Sequence, residues 1–114
     1  MCIHDITNRK PKKTGMGWKV FMDEKGKLFG DCHGAIDRPR PVRQWLRAKD
    51  FRDGNVRPEV DGFHIFVRKR DAESWRLLGR KVVCRVRYRK ATLRGTQYIG
   101  VQAPVILASE IYIL

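Results

Sequence analysis

The stretch VVCRVRYRK, residues 82–90, decides how this chain is read. Val82, Cys84, Val86 and Tyr88 fall on one parity, and Arg85, Arg87 and Arg89 fall on the other. Successive side chains of a β-strand point to opposite faces, so the alternation predicts a half-buried strand carrying a row of guanidinium groups. Each two-residue step covers about 7 Å of strand. That repeat resembles the phosphate spacing along a nucleic-acid strand. It poses a choice between a binding row and the wet face of a sheet, since cations also guard exposed strand edges.

Working outward from this strand, RGTQ (residues 94–97) has turn chemistry, and PVILASEIYIL (104–114) predicts one or two terminal strands in which Ile111 and Ile113 alternate with Tyr112 and Leu114. On the other side, Asp71 can cap a helix through DAESWRLLG (71–79), with Ala72, Trp75 and Leu78 on one face and Gly79 as a left-handed stop. GFHIFVRKR (62–70) is apolar on most of both parities, which predicts a strand near the centre of the sheet. VRQWLRAKD (42–50), with Pro41 just inside its start, has helical spacing and predicts a short helix buried through Trp45. GWKVFM, the turn DEKG and KLFGD together predict a hairpin over residues 16–31. CHGAIDRPRP and FRDGNVRPEVDG are irregular connections, and RKPKKTG (9–15) is an exposed basic loop or arm. The expected fold is therefore α+β: one domain built on a mostly antiparallel β-sheet with two short helices.

Composition narrows the partner. The chain has 114 residues, enough for one core, and 25 Lys and Arg stand against 12 Asp and Glu, a formal charge of +13. Such an excess favours an anionic partner, with nucleic acid first, an acidic protein surface second and anionic lipid third. No apolar run approaches the roughly 18 residues that would span a bilayer, and the first residues lack the apolar centre of a signal peptide. A cytoplasmic setting is expected. The three cysteines are irregularly spaced, which argues against a disulfide framework.

The candidate binding residues follow from the strands. Arg85, Arg87 and Arg89 can be continued by Arg94; Arg68, Lys69 and Arg70 end the preceding strand; Lys81 opens the arginine strand; Lys12 and Lys13 lie in the basic loop. If the two strands are neighbours, one sheet face collects these cations. Arginine forks fit phosphate oxygens, and each neutralised phosphate releases counterions. Tyr88, Tyr98, Phe66 and Tyr112 are the aromatics that could stack on unpaired bases. A metal site could draw on Cys2, His4, Cys32 and His33, but their spacing is poor for zinc, and neither a metal nor another cofactor is expected. Cys2 as an N-terminal nucleophile would require an enzyme fold larger than this chain can make.

GWKVF, GFHIF with its DA-x-x-W helix, VVCRVRYRK and ASEIYIL together resemble small uncharacterised proteins of tailed bacteriophages and prophages, over most of residues 15–114. The resemblance implies a phage accessory protein acting in the cytoplasm of an infected bacterium. It would bind nucleic acid, or occlude an acidic or nucleic-acid-handling host protein. More distantly, the GFHIF strand, its helix and the VV strand resemble part of the ADP-ribosyltransferase-like fold. That likeness implies a nucleotide-using enzyme in which His64 and Glu110 would be the residues to test.

Overall fold

The computed structural model describes Ile3 and residues 5–30, 38–51, 62–75 and 80–114. Seven strands run through them: β1 (Asp5–Asn8), β2 (Gly15–Glu24), β3 (Lys27–Phe29), β4 (Trp45–Arg47), β5 (Phe63–Phe66), β6 (Lys81–Tyr98) and β7 (Gln102–Ile113). One short helix, α1 (Lys69–Ser74), and a 3-10 turn at Ala48–Asp50 complete the elements. Every pairing is antiparallel. The expected mostly antiparallel sheet is thus present, with one helix and a 3-10 turn where two helices were expected.

The VVCRVRYRK alternation works as read. Val86 and Tyr88 enter the core while Arg85 and Arg87 stay exposed. β6 is the long central strand. One edge of it receives β2 along residues 81–88 and β1 at residues 94–96, and its other edge pairs with β7 along most of its length. β5 lies against β7 and meets β2 through the single pair Trp18 and Phe66, so β6, β2, β5 and β7 form a closed ring. All four residues of β5 are buried, as its apolar parities predict.

The ring separates two cores. Inside it lie Phe21, Phe63, Ile65, Val86, Tyr88, Ile111 and Ile113. On the opposite face Val20, Phe66, Val105 and Leu107 are covered by Ala72 of α1, with Trp75 packed beside them. Lys19 shares the inner parity of Phe21 and is 1% exposed. Its ammonium donates to the His64 carbonyl at 3.0 Å and lies 5.7 Å from the centres of the Phe21 and Phe63 rings.

The expected hairpin is β2–β3, reversed at Lys25 (φ +54°) and Gly26 (φ +79°), the two positive dihedrals a tight hairpin turn needs. Three local expectations are corrected. Residues 42–50 do not form the expected helix: Arg43 takes φ +59°, Trp45–Arg47 then runs extended along the open edge of β7, and only Ala48–Asp50 makes a 3-10 turn. Leu46 fills the inner core and Trp45, 37% exposed, faces out. A short apolar pattern is ambiguous between helix and strand, and an unpaired strand edge decided it. The helix expected at 71–79 begins at Lys69, and Trp75 is already extended (φ −65°, ψ 124°). Asp71 does not cap it but lies within its first turn and accepts from Arg68 Nε at 2.8 Å. Its proposed end at Leu78 and Gly79 lies outside the described residues. Finally, RGTQ is not a turn. It runs inside β6, and the chain reverses around Gly100 (φ +103°), with Ile99 N–H donating to the Val101 carbonyl at 2.9 Å. Gly95 serves close approach instead, because a Cβ there would stand 2.1 Å from the Asp5 carbonyl oxygen of β1.

Candidate nucleic-acid interface

Directly paired residues of an antiparallel ladder share a face, so the register lays out the outer surface rung by rung. One rung crosses four strands: Met16 of β2, Arg87 of β6, Tyr112 of β7 and Trp45 of β4. Two residues to one side, Trp18 pairs with Arg85; two to the other, Arg89, Glu110 and Arg47 align. Rungs are about 7 Å apart and strands about 4.8 Å apart, which makes a patch of about 14 Å each way. Farther along the same face α1 covers Val20 and Phe66; over these rungs Met16, Arg85, Arg87 and Trp45 stay exposed.

The side chains interleave charge with rings. The Arg85 guanidinium carbon lies 4.9 Å from the centre of the Trp18 ring and the Lys69 ammonium 5.2 Å from it. The Arg89 guanidinium carbon lies 4.0 Å from the centre of the Trp45 ring, which itself stands 5.6 Å from Tyr112 at an interplanar angle of 58°. Stacked on its indole, the Arg85 guanidinium is held in orientation while its N–H edge remains able to fork onto phosphate oxygens. Arg89 is further fixed by Glu110, whose buried carboxylate takes both Arg89 and Lys90. Hydrogen bonds from Lys90 and then Arg89 hold that carboxyl below its usual range, outweighing the opposing effect of burial. Neither Arg85 nor Arg87 has an acidic partner among the described residues.

The predicted cations are therefore divided. Arg85, Arg87 and Arg89 do form one row. Arg68, Lys69 and Arg70 do not end a strand: β5 stops at Phe66, Arg68 precedes α1, and Lys69 and Arg70 open that helix. Nor is β5 the neighbour of β6, because β2 lies between them; the two groups of cations meet instead across Trp18, through Lys69. Arg70 is exposed on α1, and Arg68 is held by Asp71. Lys81 is engaged at the end of α1, donating to the carbonyls of Glu73 and, at 2.7 Å, Trp75. Arg94 does not continue the row. Lys90 takes φ +57°, and the register with β7 slips between Ala91 and Leu93. Beyond this bulge Arg94 pairs with Ile106, an inner-core residue, and its charge acts on Tyr88, opposing the upward push of burial on that phenol. Lys13 donates to the Ala91 carbonyl at 3.2 Å, and Lys12 is exposed beside it.

Of the four aromatics expected to stack on bases, Phe66 and Tyr88 are buried, Tyr98 stands exposed at the far end of β6, and Tyr112 alone lies on the patch. Trp18 and Trp45 take their place. Trp18 is opposite in parity to Lys19 and so reads as a buried residue of its strand, until ring closure turns Lys19 inward and Trp18 out; Trp45 is hidden by the helix reading. Cys2, His4, Cys32 and His33 lie outside the described residues, and no group of three potential metal ligands occurs among those described. His64 is fully buried in β5, and Glu110 is buried between its cations. Cys84 is half-buried on the inward parity, and burial raises its thiol pKa. No protein-family model, curated protein or solved structure matches the chain.

Proposed function

We propose that the protein binds nucleic acid through the outer face of β2, β6, β7 and β4. One observation carries this reading: Arg85, held over the Trp18 ring, stands beside Arg87 on the outer face, and neither has an acidic partner among the described residues. Guanidinium groups fixed in orientation lose less freedom when they meet phosphates, so the row is prepared for its ligand. A formal charge of +13 supplies the long-range attraction. The contacts are of the backbone type, and sequence readout is weak. The test is a purified protein freed of co-purifying nucleic acid by a high-salt wash, then titrated with labelled oligonucleotides at several salt concentrations. Replacing Arg85 and Arg87 together by Gln should flatten the slope of log affinity against log salt by roughly 1.5 units, at about 0.7 to 0.9 per lost phosphate contact. An unchanged slope would rule out this face.

A second reading is favoured by the apolar surface around the same arginines, Met16 at 42% and Leu114 at 48% exposure. Arginine, tryptophan, tyrosine and methionine are enriched in protein interfaces, so the face also suits an acidic protein surface that a phage accessory protein would occlude. A host protein retained from bacterial lysate after nuclease treatment, and lost on Arg87→Gln, would support this reading over the first.

A further inference from the structure

We infer that the strand this face takes is unpaired, a single-stranded DNA or RNA whose bases stack against the Trp18–Arg85 and Trp45–Arg89 pairs. This rests on the nucleic-acid reading above and narrows it. A duplex hides the faces of its bases in its own stack and offers phosphates to a protein lying across its backbone, so a duplex reader of that kind needs only cations. The central rung here is different. Between Arg87 and the edge of the sheet stand Tyr112 and Trp45, and on the other side of Arg87 stands the exposed thioether of Met16. Against a duplex backbone these groups would meet phosphates and gain nothing; against splayed bases they supply stacking and apolar contact.

The charges divide in the same way. Arg85 and Arg87, with no acidic partner among the described residues, carry net charge for phosphates. The Arg89 charge is offset by Glu110, and what Arg89 adds to Trp45 is a planar extension on which a base can stack. Among the described residues no reading helix stands over the patch either. α1, the only α-helix among the described residues, is six residues long and lies with Ala72 buried in the second core.

The test compares five probes of matched charge by fluorescence anisotropy. They are a single strand of about 12 nucleotides, long enough for one site of this class, in DNA and RNA forms; a hairpin duplex; an abasic strand; and polyglutamate. The inference expects either single strand to bind at least tenfold more tightly than the duplex and the abasic strand, and to quench tryptophan fluorescence where the abasic strand does not. Trp45→Ala should weaken the single strand about tenfold or more, leave the abasic strand unchanged, and be partly rescued in Trp45→Phe. The quenching measurement uses the parent protein and stands even if a variant fails to fold. Duplex binding equal to single-strand binding, or equal weakening of single and abasic strands by Trp45→Ala, overturns the inference while the nucleic-acid reading survives. Polyglutamate binding as tight as the single strand overturns it in favour of an acidic protein. Failure of every nucleic-acid probe overturns both.

Discussion

Glu110 receives Arg89 at two points, from Nε at 2.8 Å and from Nη2 at 2.7 Å, and so ties the guanidinium that covers Trp45 to the neighbouring strand. Lys90, in a left-handed conformation at the β6 bulge, closes on the other carboxylate oxygen. One buried acid thereby fixes two cations and the position of an aromatic platform. Its folded-state pKa lies below the ordinary carboxylate range, so the unfolded chain binds that proton more readily. The stabilisation is complete above the ordinary carboxylate pKa and is lost as pH falls through the folded value. Glu110→Gln should cost about 1 to 2 kcal/mol at neutral pH, a figure held down because both cations are partly solvated. The difference from the parent should shrink in acid. Denaturant unfolding of both proteins across pH measures this, and a difference that does not vary with pH would contradict it.

The ring is closed at its weakest seam by Gly17. A Cβ at this residue would stand 2.4 Å from Ile65 Cγ2 and 2.8 Å from the Phe66 carbonyl oxygen, and the second of these is backbone that cannot swing away. β2 and β5 share only the pair Trp18 and Phe66, so Gly17→Ala should part them. A loss of about 2 to 3 kcal/mol is expected, as for other overpacked cores. Amide exchange should speed up in β5 before it does in the β6–β7 pair; uniform exchange would mean the seam is not a local weak point.

Trp75 and Trp45 should separate stability from binding. Trp75 is half-buried against Phe66, with ring centres 6.4 Å apart, and helps anchor α1 over the second core. Trp75→Ala should cost about 3 kcal/mol, near the low end for removing a large aromatic. Trp45 packs on Tyr112 at the surface, and Trp45→Ala should cost about 1 kcal/mol, the worth of one aromatic pair. Thermal unfolding of the two variants decides it. Equal losses would mean that Trp45 supports the fold as much as Trp75 does.

Local alternation was enough to read the strands that carry the row. Val86 and Tyr88 against Arg85 and Arg87, and the apolar run of β5, each had one low-energy assignment because apolar side chains must leave water. What could not be read was decided by distant partners. Trp45–Arg47 is extended because the edge of β7 needed a partner, a fact about residues 110–112 that no window around Trp45 contains. The bulge at Lys90 lacks the glycine that would announce a positive φ, and it moves Arg94 off the row. Lys19 reads as a wet residue of an alternating strand, yet ring closure turns its parity inward between two phenylalanines. Hence the arginine row was legible and its aromatic half was not.

Arg87 and Arg94 carry the same charge on the same strand, seven residues apart, and differ in the side to which they are turned. Arg87 sits mid-rung between Met16 and Tyr112, whereas Arg94 pairs with Ile106 beyond the bulge. A ligand held by the outer face should feel only the first. Arg87→Gln should lower the salt slope of nucleic-acid affinity by about 0.7 to 0.9, the release of one phosphate's counterions. Arg94→Gln should leave that slope within error. Both substitutions remove one exposed charge, so an effect of net charge alone would weaken the two equally. If equal weakening is observed, binding follows the overall charge of +13 and not this face.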